Sequence, residues 1–130
     1  MAIRAADWFR QAEADLAHAR HSLEAGDFNW ACFAAQQAAE KAAKAAHQRM
    51  GEEAWGHSVT ELLEALGPEP TVTADLLDRA RSLDKHYVPS RYPDSLPSGA
   101  PADYYTRVEA ERAISDAESI LVVCQAIVSR

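Results

Sequence analysis

A chain of 130 residues has room for one domain, and 48% apolar with 25% charged residues is the mix of a folded protein, not a disordered one. A formal charge of −7 argues against a general nucleic-acid coat or a polybasic membrane binder. Cys32 and Cys124 are too few for a disulfide scaffold, no apolar run nears the ~20 residues of a membrane span, and the start MAIRAADWFR lacks a signal-peptide core, so a cytoplasmic protein is expected.

Alanine is the commonest residue, and every glycine and proline falls between the periodic stretches, which is where helix punctuation belongs. The first helix is predicted from about Arg4 to Ala25, with Trp8, Ala12, Leu16, Ala19 and Leu23 as one apolar stripe. Gly26 ends it, and Asp27 is placed to cap a second helix over Phe28 to Met50, closed by Gly51. Ser58 and Glu61 form an S-x-x-E capping box that opens a short third helix through Leu66. Thr73 can cap a fourth helix over Ala74 to His86, facing Leu76, Ala80 and Leu83 inward. The last helix is expected to start near Asp103, on a stripe of Ala110, Ile114, Ala117, Leu121, Cys124 and Val128. These elements predict an all-α protein: an antiparallel up-and-down four-helix bundle with an additional short helix, one domain over residues 1–130. The exception to short connections is Tyr87 to Ala102, which carries four of the six prolines together with two tyrosines and an arginine. Its first half reads as ordered, and loops this long are usually functional or disordered.

Chemistry can sit in three places. The second helix carries Gln37, Lys41, Lys44 and Gln48 as a polar ridge opposite small alanines (Ala31, Ala35, Ala38, Ala42, Ala45), with no acidic residue between Lys41 and Arg49. Such a ridge is either a solvated face with a Glu40–Lys44 pair or a phosphate-contacting strip. A second cluster holds Arg79, Arg81, Lys85 and Arg91 around His86, within a half of the chain that carries all of the net negative charge. There Asp75 can meet Arg79 and Asp78 can meet Arg81. In the loop, Arg91 can hold a phosphate bidentately while Tyr87 and Tyr92 stack on bases; alternatively both rings pack on the bundle and Arg91 pairs with Asp94. His18 and His21 read as surface residues, both cysteines as buried thiols, and His57 as a packing or capping residue. No metal site and no cofactor are expected.

The segments Trp8-Phe9 with Ala12, Asp15 and Leu16, QQAAEKAAKA (Gln36 to Ala45), GHSVTELL (Gly56 to Leu63) and LDKHYVPSRYPD (Leu83 to Asp94) together resemble the HEPN family, the nucleotide-binding domain of higher eukaryotes and prokaryotes, in its YVPSRYPD-type stand-alone form. That resemblance implies a four-helix bundle with an extra short helix, usually dimeric. It implies a link to nucleotides or RNA, commonly beside a small nucleotidyltransferase partner and in some cases as a toxin–antitoxin pair. One branch of the family comprises metal-independent ribonucleases with R-x(4–6)-H, and here Arg81 or Arg79 with His86 meets that spacing. In such a pair the histidine moves protons and the arginine stabilises the phosphorane, so no metal is needed.

A homodimer or dimer of dimers is also expected. Alanine covers much of the second helix, while Trp8 with Phe9 and Trp30 with Phe33 give the first two helices more aromatic surface than one stripe buries.

Overall fold

In the computed structural model, which describes residues 4–130, helix α1 (Ala5–Ala25) is stopped by Gly26, whose φ of 82° favours a residue without a Cβ. The amides of Gly26 and Asp27 close back on the carbonyls of Leu23 and Ser22, and α2 (Phe28–Arg49) begins at the next residue. So short a link makes the two helices antiparallel neighbours. Consistent with that direction, Lys44 of α2 lies over the Trp8 ring near the start of α1, and Lys41 bonds Asp15 further along it. The short α3 (Val59–Glu64) leads to α4 (Ala74–Asp84), then α5 (Pro101–Tyr104) and α6 (Arg107–Val128). Arg79 meets Asp116, and His86 meets Tyr105, so α4 runs antiparallel to α6.

The alanines of α2 set the geometry. Phe28 faces Arg107 at one end and Arg49 bonds the Arg130 carbonyl at the other, so α2 and α6 run in the same direction. They are the diagonal pair of the bundle, and Ala31, Ala35, Ala38, Ala42 and Ala45 are all fully buried. Larger side chains there would hold the two backbones apart. Leu16 and Phe9 of α1, Leu62 and Leu63 of α3, Leu83 of α4, and Ile120 and Ile127 of α6 complete the core.

Several expectations need correction. On α1 the inward stripe is Ala5, Phe9, Ala12, Leu16, Ala19 and Ser22, leaving Trp8 and Leu23 half-buried. Trp8 sits on the α1–α2 seam because Lys44 and the chain near Trp55 approach it from that side. The alanine surface of α2 is covered within the single chain, so it does not by itself call for a second copy. Asp27 occupies the N-cap of α2 but its side chain makes no capping bond. Helix α4 ends at Asp84, not His86, because the amides of His86 and Tyr87 turn back on the carbonyls of Leu83 and Asp84 in a tighter turn. The last helix does not run unbroken from Asp103: Tyr105 and Thr106 are extended, and Thr106 opens α6 through a reciprocal capping box with Glu109. Ser58 and Thr73 cap α3 and α4 as expected. No helix among the described residues is long and apolar enough to cross a membrane.

Candidate functional site

The loop after α4 folds back on the first two turns of α2. Ser90 is fully buried; its hydroxyl bonds the His86 carbonyl and its own carbonyl accepts from Asn29 Nδ2 at 3.1 Å. This anchorage places Arg91 over the Phe33 ring, with the guanidinium carbon 4.1 Å from the centroid. The rings of Tyr87 and Tyr92 lie 5.0 and 5.2 Å from the same carbon. Nε and Nη2 both donate to the Tyr87 carbonyl, at 2.9 and 2.7 Å. Stacking and this bidentate bond fix the plane of the guanidinium. Asp94 does not pair with it: among the described residues no carboxylate reaches Arg91, and Nη1 has no partner. Trp30 stands edge-on to Phe33 at 6.0 Å, and Trp30 and Tyr92 each expose about half their surface, 49% and 51%. The result is one pre-oriented, uncompensated cation ringed by exposed aromatic faces.

On the other side of Tyr87, His57 stacks on the ring at 4.6 Å and 17°. Its Nδ1 donates to the buried Glu40 carboxylate, 3.2 Å from Oε1. Gln36 and Gln37 donate to the same oxygen, Lys44 donates to Oε2 at 3.2 Å, and Gln36 also bonds the His57 carbonyl. A buried carboxylate without such donors would carry a large desolvation penalty. The ridge predicted on α2 is therefore real as a face, but both of its ammonium groups have internal partners. Lys41 bonds Asp15 at 2.6 Å and Lys44 forms the i,i+4 pair with Glu40.

The second basic cluster divides. Arg79 is clamped by Asp75 and Asp116, both at 3.0 Å, and exposed Arg81 pairs with Asp78 at 3.0 Å. Either arginine must leave its carboxylate to reach a phosphate. His86 lies apart from the Tyr87–Arg91 group, with Nδ1 3.2 Å from the Tyr105 hydroxyl. Burial lowers the His86 pKa from its ordinary value of 6.5, with Glu109 opposing the shift and Lys85 adding to it. Burial likewise pushes the Tyr105 phenol up to about 12, so both groups are neutral at pH 7. A neutral buried imidazole binds its proton less readily than the unfolded one. Its contribution to stability is complete above the unfolded value and is lost as pH falls from about 6.5 through the folded value. The thermal midpoint, followed by circular dichroism, is expected to drop more steeply between about pH 7.5 and pH 5.5 in the wild type than in His86→Gln. Equal slopes would contradict this assignment.

Three members of the Arg91 site were not singled out from the sequence as site residues: Phe33, Glu40 and His57. Only the GHS motif around His57 marked any of them, and that residue read as packing. Asp84 was also missed. It accepts from the Val59 amide at 2.7 Å, the Thr60 amide and hydroxyl at 3.1 and 2.6 Å, and the Ser58 hydroxyl at 3.1 Å. This one carboxylate ties the end of α4 to the start of α3, and with it holds His57 beside Tyr87. Cys32 and Cys124 are buried with thiols pushed up to about 12, chiefly by burial, which makes them poor nucleophiles.

Residues 5–127 match the HEPN domain family. Among solved structures, one from Thermus thermophilus is similar at 50% identity, covering 95% of this chain and 98% of that chain with a TM-score of 0.93. An archaeal HEPN homologue is 43% identical over 96% of this chain and 98% of its own, with a TM-score of 0.82. A HEPN domain protein from Thermotoga maritima is 46% identical over 95% and 98%, with a TM-score of 0.76. No curated protein matches the chain.

Proposed function

This chain belongs to the HEPN domain family, whose members are generally nucleotide-binding or ribonuclease-like, and on that premise we propose that it is a nucleotide- or RNA-binding subunit whose site is the Arg91 cluster. The observation that carries the proposal is the state of Arg91. A guanidinium held flat by three rings and a carbonyl, with no carboxylate partner, is ready for a phosphate, and the same rings offer faces to a base. His57 and Glu40 hold Tyr87 from behind. Lys41 and Lys44 belong to the site as the far end of that polar network, with their charges already balanced. Calorimetric titration with ATP, GTP and short RNA tests the proposal: saturable heat is expected for at least one, and none for all three would overturn it.

The proposal includes a small nucleotidyltransferase as protein partner, in a toxin–antitoxin arrangement, and self-association through the aromatic face of α2. Trp55 exposes 84% of its surface and Trp30 49%, which is costly for rings left in water. A two-fold axis on this face would bring two Arg91 groups towards one shared anion. Light scattering after size exclusion is expected to give at least twice the 14.2 kDa chain mass, and 14.2 kDa itself would contradict self-association.

A further inference from the structure

His86 and Tyr87 are consecutive, yet they face opposite sides of the loop. Tyr87 turns to the Arg91 cluster, while His86 turns to a separate cavity of about 290 Å3 between the end of α4 and the first turns of α6. Ser82, Lys85, His86, Glu109, Arg112 and Asp116 line it. Its two carboxylates already have partners: Glu109 accepts from the Thr106 amide and hydroxyl, and Asp116 accepts from Arg79 at 3.0 Å. Lys85 and Arg112 do not. Both are exposed, and among the described residues neither forms an ion pair. The Ser82 hydroxyl adds a further donor at the rim.

We propose that this cavity is a second phosphate subsite, held by Lys85 and Arg112 with Ser82, and that the ligand of the protein is therefore a single-stranded oligonucleotide wrapping the 86–92 loop rather than a lone mononucleotide. The proposal rests on the Arg91 site as its first anchor. A mononucleotide has phosphate on one end only and can occupy one anchor; a strand presents a phosphate at every step and can reach both. The two anchors then act as linked contacts on one chain, so affinity grows with length until both are filled.

Full-length protein titrated with uridine monophosphate and with uridine oligomers of increasing length tests this. The oligomers are expected to bind at least about tenfold tighter than the monophosphate, the gain from added charge-assisted contacts. In a Lys85→Ala/Arg112→Ala double variant that gain should vanish, and the slope of log affinity against log salt should flatten by about 1.4 for two lost single-strand phosphate contacts. Monophosphate affinity should stay unchanged, which also shows that the variant is folded. Inorganic phosphate, titrated alone as a rival occupant, is expected to bind the wild type no more tightly than the variant; a clear preference for the wild type would make the cavity a free-phosphate site and overturn the strand reading. Oligomers that bind no tighter than the monophosphate overturn it too, as does a double variant that keeps the length gain. Failure of the Arg91 site reads out separately, as monophosphate binding that Arg91→Ala leaves intact.

Discussion

Arg91→Ala is expected to weaken nucleotide or short-RNA binding by roughly tenfold to a hundredfold, because a charge-assisted hydrogen bond contributes about 1.5–3 kcal/mol and each 1.4 kcal/mol is a factor of ten. Arg91→Lys should recover little of this. An ammonium cannot bond the Tyr87 carbonyl through two parallel N–H groups and still present a flat face to Phe33, so its charge would be neither stacked nor oriented. Tyr92→Ala is expected to act on the base instead, at about 1–3 kcal/mol for a lost stacking partner. Calorimetry on the two variants separates the roles: loss at Arg91 should be accompanied by a shallower salt dependence, whereas loss at Tyr92 should not. Undiminished binding by a folded Arg91→Ala protein would move the anion site elsewhere, with the face of Lys41 and Lys44 the first place to look.

The largest stability effect is expected at Asp84. Its carboxylate takes four hydrogen bonds from Ser58, Val59 and Thr60, and two of those donors are amides at the first turn of α3, which have no partner within the helix. Asp84→Ala leaves them half-buried and unpaired, at a cost of about 3 kcal/mol when a lost cap and a charged acceptor are combined. For a domain of this size that is on the order of 10 °C in the thermal midpoint. Asp84→Asn keeps one good acceptor and should lose about half as much. Asp94→Ala, at an exposed position in the same loop region, should stay within about 0.5 kcal/mol of wild type. Because Asp84 also positions α3, and so His57 against Tyr87, ligand affinity should fall in Asp84→Ala even well below its midpoint temperature. Thermal melts followed by circular dichroism, with titration at low temperature, check both parts; a midpoint no lower than that of Asp94→Ala would contradict them.

The helices were legible because their signals are local. Ser58 and Glu61, Thr73 and Gly26 act within a few residues, and each lies where the chain turns. The Thr106–Glu109 box was just as local, yet the apolar pattern on both sides of it hid the break at Tyr105. The site was legible only where one segment carries it: Tyr87, Arg91 and Tyr92 stand within a single loop. Phe33, Glu40 and His57 come to it from α2 and from the chain before α3, and no periodicity relates position 40 to position 57. The same limit governed the charges. That Lys41 meets Asp15, and that Arg79 meets Asp116, depends on how helices pack, so a ridge that looks free of acids along its own helix can be neutralised from the next one. Arg91 escapes that neutralisation because its neighbours are rings.

Photocrosslinking with an iodouridine-substituted RNA oligomer tests the central claim most directly, since the excited base attacks the aromatic side chain it is stacked on. Adducts mapped by mass spectrometry are expected on Trp30, Tyr87 or Tyr92, the rings around Arg91, and should disappear in Arg91→Ala. Adducts confined to Trp8 or Trp55, beside Lys44, would contradict the account and place the nucleic acid on the other end of α2.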